Sequence, residues 1–138
     1  MASLKVKYND FQIGDVFTFH KTITETDIAA FAKLVGDFNP MHADDAFAQQ
    51  QGFEKKIAHG MLLAGLFSTL VGMHCPGKHC LYLSQSAQFR FPAYAGDELV
   101  VRGEITAKND ALQILTVQTE ICKGAQKLVT GEAKVKVL

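Results

Sequence analysis

The segment from His59 to His74 is apolar on nearly every side when it is drawn as a helix. Its most apolar part runs from Met61 to Met73 and is broken by Ser68 and Thr69. That part is too short to span a bilayer, which takes about 20 residues. A helix without a polar face has no side that it can turn to water. We therefore expect this helix to be buried, wrapped by a sheet or by a partner chain.

The residues after this segment alternate between apolar and polar side chains, as do Val16 to Ile23 before it. Leu81 to Phe91 is predicted to be one strand. Three further strands are predicted, with inward faces formed by Leu99, Val101 and Ile105, by Leu115, Val117 and Ile121, and by Ala133, Val135 and Val137. Asn109-Asp110 and Lys123-Gly124 are turn signals between them. Clean alternation predicts an antiparallel sheet with one wet face.

Two amphipathic helices are predicted before the apolar one. Thr24 or Thr26 can cap the first, and Asp27 in its first turn is favoured by the helix dipole. The spacing of Ile28, Phe31, Ala32 and Val35 gives that helix one apolar face. Ala43 to Gln51 reads as a short helix ended by Gly52. Helices come early and strands late, which predicts the α+β class, and no linker or repeat divides residues 1–138.

Composition limits the kinds of partner. The chain has 138 residues, of which 48% are hydrophobic and 20% charged, which excludes a disordered chain. Fourteen basic and 14 acidic residues balance, so no basic surplus points to nucleic acid. Met1 to Lys5 lacks the apolar run of a signal peptide, and three cysteines are an odd number that makes no disulfide framework. We expect a cytoplasmic protein without a membrane partner.

The residues with the clearest chemistry are Gly36-Asp37-Phe38-Asn39-Pro40-Met41-His42. Gly36 can end the preceding helix, and Pro40 forces the chain at Asn39 to extend or turn. The resulting bend can aim the Asp37 carboxylate and the His42 imidazole into one space. Such a pair, sharing one water, can perform acid and base catalysis near neutral pH. The same residues also suit a plain turn, because Asp and Asn bond their own backbone.

Three segments of the sequence resemble one known family. The stretch F-A-K-L-V-G-D-F-N-P-M-H, from Phe31 to His42, resembles the hydratase motif of the MaoC-like (R)-specific enoyl-CoA hydratases, called hydratase 2. Ile57 to Leu62 resembles the start of that family's central helix. The third segment, from Ser84 to Asp97, resembles its F-x-x-P…G-D strand and turn, in the expected order and spacing.

The resemblance implies a single hot-dog domain, in which a curved antiparallel sheet wraps around a central apolar helix. It implies reversible hydration of trans-2-enoyl-CoA, with Asp37 and His42 as the catalytic pair and Gly60 at the oxyanion site. Ser68 matches a serine that orients the pair, and Asn39 could fix the pair's geometry. It also implies a homodimer. Coenzyme A would enter only as part of the thioester substrate, and no bound cofactor is expected.

Each of these assignments has an alternative. Gly60 could be kept for packing, Ser68 could be a helix-packing residue, and Asn39 could only form the turn. Hot-dog proteins share one scaffold among hydratases, thioesterases and 3-hydroxyacyl-carrier-protein dehydratases, so the fold does not separate them. A non-catalytic acyl-thioester-binding subunit is a further alternative. The loop His74-Cys75-Pro76-Gly77-Lys78-His79-Cys80 contains metal-ligand residue types, but its spacing is not that of a common zinc site, and we expect no metal.

Overall fold

The computed structural model describes residues 7–138, so Met1–Lys5 lies outside the described residues. The first half of the chain contains strand β1 (Val16–Thr22) and helices α1 (Glu25–Val35), α2 (Pro40–Ala43), α3 (Asp45–Gln50) and α4 (Gly60–Thr69). The second half contains strands β2 (Cys80–Gln85), β3 (Gln88–Phe89), β4 (Glu98–Asn109), β5 (Ile114–Lys123) and β6 (Gln126–Val137). No helix within residues 7–138 has both the length and the apolar character needed to cross a membrane.

All six strands belong to one antiparallel sheet. Its order is β1-β4-β5-β6-β2, with the short β3 also paired to β6. Strands β4, β5 and β6 form a meander joined by short turns, as the turn signals predict. The α+β class and the antiparallel sheet are therefore confirmed, and β2 is left at one edge of the sheet.

The predicted inward faces of the three long strands are confirmed. Their nine apolar residues, from Leu99 in β4 to Val137 in β6, are all buried. Thr119 in β5 is buried on the same inward face, whereas the burial of Thr116 departs from the alternation. Both hydroxyls are satisfied, since Thr116 Oγ1 accepts from Lys134 Nζ at 2.7 Å and Thr119 Oγ1 accepts from Gln85 Nε2 at 3.0 Å. A buried polar group with a partner costs little stability.

Helix α4 packs one face against the concave side of this sheet. Leu63 and Phe67, together with Leu70 just beyond the helix, lie in the core with Leu99 and Val101. The opposite face of α4 carries Met61, Gly65, Ser68 and Thr69 and is exposed, with Met61 at 64%. The predicted burial of the apolar helix is thus confirmed on the sheet side only.

Three element boundaries differ from prediction. The helix that starts near His59 ends as α-helix at Thr69, and Leu70–His74 continues as a π-helical turn. The short helix predicted for Ala43 to Gln51 is present as α3, but it begins at Asp45, because the Asp44 side chain accepts hydrogen bonds from the backbone of Ala46 and Phe47 and caps it, while Ala43 ends α2.

The single strand predicted for Leu81 to Phe91 is wrong. It breaks between β2 and β3, where Ser86 binds the backbone of Glu132 in β6 through both its N–H and its Oγ. The bond from Glu132 N to the Ser86 side chain takes the place of a regular backbone pairing at that point.

A glycine in β4 allows the close contact between helix and sheet. A Cβ added to Gly103 would lie 2.8 Å from Leu70 Cδ2 and 3.0 Å from Val117 Cγ1. Leu70 and Val117 are fully buried, so neither side chain can move out of the way into solvent.

We predict that Gly103→Ala lowers the free energy of unfolding by about 1–3 kcal/mol, because it overpacks the core. Gly72→Ala is the control, since a Cβ there would have no atom within 4 Å among the described residues. Urea unfolding followed by circular dichroism measures both variants. Equal stability of the two variants would contradict the packing described here.

Candidate active site

Helix α1 leads directly into the Asp37–His42 segment, and local hydrogen bonds fix both ends of this helix. Thr24 caps its start, since Thr24 Oγ1 accepts from Asp27 N and Asp27 Oδ2 accepts from Thr24 N, each at 3.0 Å. Desolvation raises the pKa of Asp27, but the hydrogen bonds from Thr24 and Lys21 outweigh it and leave this pKa below its usual value. Gly36 ends the helix with a left-handed φ of 81°, and its N–H donates to Ala32 O at 2.8 Å.

Backbone N–H groups set the shape of the segment from Asp37 to His42, the candidate catalytic loop. Asn39 N donates to Asp37 Oδ1 at 3.1 Å, which fixes one carboxylate oxygen. The Asn39 side chain accepts from Met41 N at 2.9 Å and caps α2, whose first residue is Pro40. Asn39 therefore forms the turn with its side chain and orients Asp37 with its backbone.

His42 is held with one ring nitrogen facing the Asp37 carboxylate. Its Nδ1 lies 2.7 Å from Ile57 O, and because a carbonyl only accepts, Nδ1 carries the proton. Nε2 then has a free lone pair, and it lies 4.0 Å from Asp37 Oδ2. The gap is too long for a direct hydrogen bond, but one water can bridge it. The His42 side chain is 14% exposed and that of Asp37 is 50% exposed, so solvent reaches the pair.

A second histidine, which sequence reasoning placed at the helix start without a role, belongs to the same site. His59 is 2% exposed, and its Nε2 lies 3.0 Å from Asp37 O. Its ring stacks on that of His42, with centroids 3.8 Å apart and planes 26° from parallel. The signal in the sequence that could have pointed to His59 as part of the site is its position as a histidine at the start of an otherwise apolar helix.

The side chains of Asp37, His42 and His59 place one ligand-type atom each within 4.8 Å of one another. The two imidazoles are nearly parallel, however, so their in-plane lone pairs run side by side and do not converge on one ion at about 2.1 Å. One nitrogen of each ring also lies at hydrogen-bond distance from a backbone carbonyl. The ring geometry favours acid–base chemistry over metal binding.

The His74–Cys80 loop does not bring its ligand-type residues together. His74 stacks on Phe19 with ring centroids 5.1 Å apart, and Cys75 is buried. Cys80 Sγ lies 3.9 Å from Val71 O, and burial raises the pKa of its thiol, which disfavours the thiolate that a metal needs. Within residues 7–138, no disulfide joins the cysteines.

Gly60 is the first residue of α4, so its N–H has no acceptor within the helix. It lines an apolar cavity of about 260 Å³ together with Phe53, Leu63 and Phe89. A Cβ at position 60 would lie 2.9 Å from the Phe89 ring, so glycine lets this ring close over the helix start. Asp37 and His42 line a neighbouring cavity of about 240 Å³. The segment 56–60 contributes residues to both cavities.

The structure does not bring Ser68 to the catalytic pair within one chain. Ser68 lies on the exposed face of α4, about 12 Å along the helix from Gly60 at 1.5 Å per residue. It lines a third cavity of about 480 Å³ with Met61, Tyr82 and Phe89. Its orienting role stays a prediction that a single chain cannot fulfil by direct contact.

Cations near the cavities already have partners in the protein. Lys56 Nζ lies 3.6 Å from Glu25 Oε1 at the mouth of the Asp37 cavity. Arg90 lines the Gly60 cavity and donates to Thr130 Oγ1 at 2.9 Å and to Gln88 Oε1 at 2.7 Å. These side chains hold a positive charge beside each cavity.

Comparison with known proteins identifies relatives over nearly the whole chain. The model of the MaoC like domain matches residues 10–125. An (R)-specific enoyl-CoA hydratase of Aeromonas caviae is 45% identical over 127 residues, which cover 91% of this chain and 95% of that protein. A mitochondrial 3-hydroxyacyl-[acyl-carrier-protein] dehydratase of Arabidopsis thaliana is 35% identical over 126 residues, covering 88% of this chain and 75% of that protein.

The solved structure of an (R)-hydratase from A. caviae involved in PHA biosynthesis superimposes with a TM-score of 0.89 at 44% identity. The match covers 93% of this chain and 98% of that chain. Both the sheet and the central helix are therefore shared with a hot-dog hydratase. By sequence and by fold, this chain belongs to the MaoC-like family.

Proposed function

We propose that this chain is an (R)-specific enoyl-CoA hydratase, which adds water reversibly to trans-2-enoyl-CoA and gives (R)-3-hydroxyacyl-CoA. The observation that carries this proposal is the Asp37–His42 pair. Its carboxylate oxygen and free imidazole nitrogen lie 4.0 Å apart, and the other nitrogen of His42 is fixed by Ile57 O. The similarity to an (R)-specific enoyl-CoA hydratase of A. caviae supports the same function.

Hydration requires that the water oxygen bond to Cβ of the enoyl thioester while a proton reaches Cα. A water held between Asp37 and His42 would lose one proton to the pair as its oxygen attacks Cβ, and the pair would return one proton to Cα. The two groups act as one acid–base unit, so we do not divide the steps between them. Placing both groups on one side of the double bond fixes the face attacked and hence a single enantiomer.

Negative charge builds on the thioester oxygen during the attack. The N–H of Gly60 at the start of α4 is a suitable donor, since a helix N-terminus carries unpaired N–H groups and a partial positive charge. Such a donor stabilises the transition state more than the ground state. The apolar cavity beside Gly60 would exclude water from the rest of the acyl group.

Coenzyme A would be part of the substrate only, and this chemistry calls for no bound cofactor, since hydration involves neither electron nor group transfer to a carrier. The related 3-hydroxyacyl-[acyl-carrier-protein] dehydratase is named for the same type of reaction on a carrier-protein thioester. An acyl-carrier-protein thioester is therefore the alternative substrate to the coenzyme A thioester. The odd number of cysteines agrees with a cytoplasmic location.

We also propose that the active form is a homodimer. The exposed face of α4 and the edge strand β2 line the 480 Å³ cavity, and Met61 and Phe89 in it are 64% and 50% exposed. An exposed apolar groove beside an unpaired strand edge is suited to a second copy of the same chain. A partner there would also cover Ser68.

We predict that Met61→Lys shifts the protein towards monomer, because it places a charge in the apolar groove. Leu112→Lys is the control, since Leu112 is also exposed, at 54%, but lies in the turn between β4 and β5. Sedimentation velocity at micromolar concentration measures both variants. A monomeric wild type, or equal dissociation in both variants, would contradict the proposed interface.

We predict that Asp37→Asn and His42→Ala each lower turnover on an enoyl thioester by roughly 10²- to 10⁴-fold, because each removes half of the acid–base pair. The double variant should lose little more, since the two groups act as a unit. Melting temperature serves as the control for folding. Near wild-type turnover in either single variant, on every enoyl thioester tried, would rule out the pair.

The reaction class can be tested without a structure. A hydratase removes the conjugated double bond of enoyl-CoA and leaves the thioester whole, so the ultraviolet absorbance of the enoyl thioester should fall while a thiol-trapping assay detects no free CoA. An (R)-selective 3-hydroxyacyl-CoA dehydrogenase should then consume the product, and an (S)-selective one should not. Thiol release without hydration would point to the thioesterase, and no reaction at all to the non-catalytic subunit.

A further inference from the structure

His59 is the N-cap residue of α4, yet its side chain makes no capping hydrogen bond to the helix. N-cap positions favour short polar side chains that accept from the first turn. The His59 ring instead turns back to the catalytic loop, where Nε2 donates to Asp37 O at 3.0 Å across 22 residues of sequence. The mechanism above makes no use of this side chain.

The hydrogen bond to Asp37 fixes the tautomer of His59. A carbonyl oxygen accepts, so Nε2 carries the proton and Nδ1 does not. Nδ1 is buried and has no hydrogen-bond partner among the described residues. A buried polar atom without a partner lowers stability, whereas an apolar ring of similar size would avoid that cost. Stability alone therefore does not account for a histidine at this position.

The ring of His59 also contacts its neighbours on two sides. One face stacks on His42 at 3.8 Å between centroids, and Phe31 meets the ring edge-on at 4.9 Å. The stacking restrains the plane of the His42 ring, in addition to the hydrogen bond from His42 to Ile57 O. The residue directly after His59 is Gly60, whose N–H is the proposed oxyanion donor.

We infer that His59 is a positioning residue. It holds the Asp37 backbone and the His42 ring in fixed positions relative to Gly60 at the start of α4. The inference rests on the hydratase function proposed above. The hydrogen bond from His59 to Asp37 O sets the direction in which the Asp37 carboxylate projects. The stacked ring of His59 sets the plane of the His42 ring and so the direction of its Nε2 lone pair.

Three substitutions separate the two contacts. His59→Phe keeps a ring on His42 and removes both the donor to Asp37 O and the orphaned Nδ1. His59→Gln keeps a donor at the place of Nε2 without the ring, and His59→Asn is its matched control, because its amide is one methylene too short to reach Asp37 O. Steady-state hydration kinetics and melting temperatures are measured for all three and for the wild type.

His59→Phe should lower kcat by roughly 10- to 100-fold with little change in KM, by analogy with the loss of a group that orients a metal-binding histidine. Its melting temperature should stay close to that of the wild type, since removal of the unpartnered nitrogen offsets the lost hydrogen bond to Asp37 O. A variant that is as stable but slower cannot result from a purely structural role. His59→Gln should retain clearly more kcat than His59→Asn.

Wild-type kcat in a stable His59→Phe variant, or equal kcat in the Gln and Asn variants, would overturn the inference. If the Phe variant does not fold, the comparison of Gln with Asn decides alone. Failure of the hydratase assignment would appear separately, as a wild type that hydrates no enoyl thioester.

Discussion

The structure depends on burying one face of an apolar helix against a curved antiparallel sheet. Leu70 just beyond α4 rests over Gly103 of β4, where any side chain would collide with it. This contact fixes the helix with respect to the sheet, and with it the position of Gly60 at the helix start. The candidate catalytic loop is held in turn by Ile57 and His59, which lie just before that start. The relative positions of the groups in the site therefore depend on the packing of the core.

The segment from Ile57 to Gly60 joins the core to the proposed acid–base pair. Its backbone is bonded on both sides, since Ile57 N donates to Met41 O at 3.0 Å and Ala58 N donates to Ala93 O at 2.8 Å. The carbonyl of Ile57 in turn accepts from His42 Nδ1. Backbone groups do not change protonation, so they hold the imidazole in one tautomer more dependably than an ionisable side chain would.

The scaffold by itself does not choose the reaction. Its sheet and helix serve several thioester chemistries, and the proposed acid–base pair, Asp37 in the loop between α1 and α2 and His42 in α2, would distinguish a hydratase. That loop is short and bonded to itself through Asp37 and Asn39. It is joined to the rest of the protein by the hydrogen bond from His59 to Asp37 O, and the α2 residues that follow it are held by Ile57 and by the stacked ring of His59. Because residues of the 56–60 segment line both cavities, a thioester that met both the proposed acid–base pair and the Gly60 N–H would lie across this segment.

Sequence alone determined the features that depend on near neighbours. A threonine cap at the start of α1, the end of α1 at Gly36 and the alternating strands follow from local bonds and from the period of the side chains, and the structure confirms them, with Thr24 rather than Thr26 as the cap. The Asp37–His42 pair was also proposed from a short motif.

Only the tertiary structure decided the contacts between distant residues. The bond from His42 to Ile57 spans 15 residues and the bond from His59 to Asp37 spans 22, and no local pattern encodes either partner. The break between β2 and β3 depends likewise on Ser86 meeting Glu132. These features arise because packing brings separate segments together, and a periodic pattern says which side of an element is buried without saying what it is buried against.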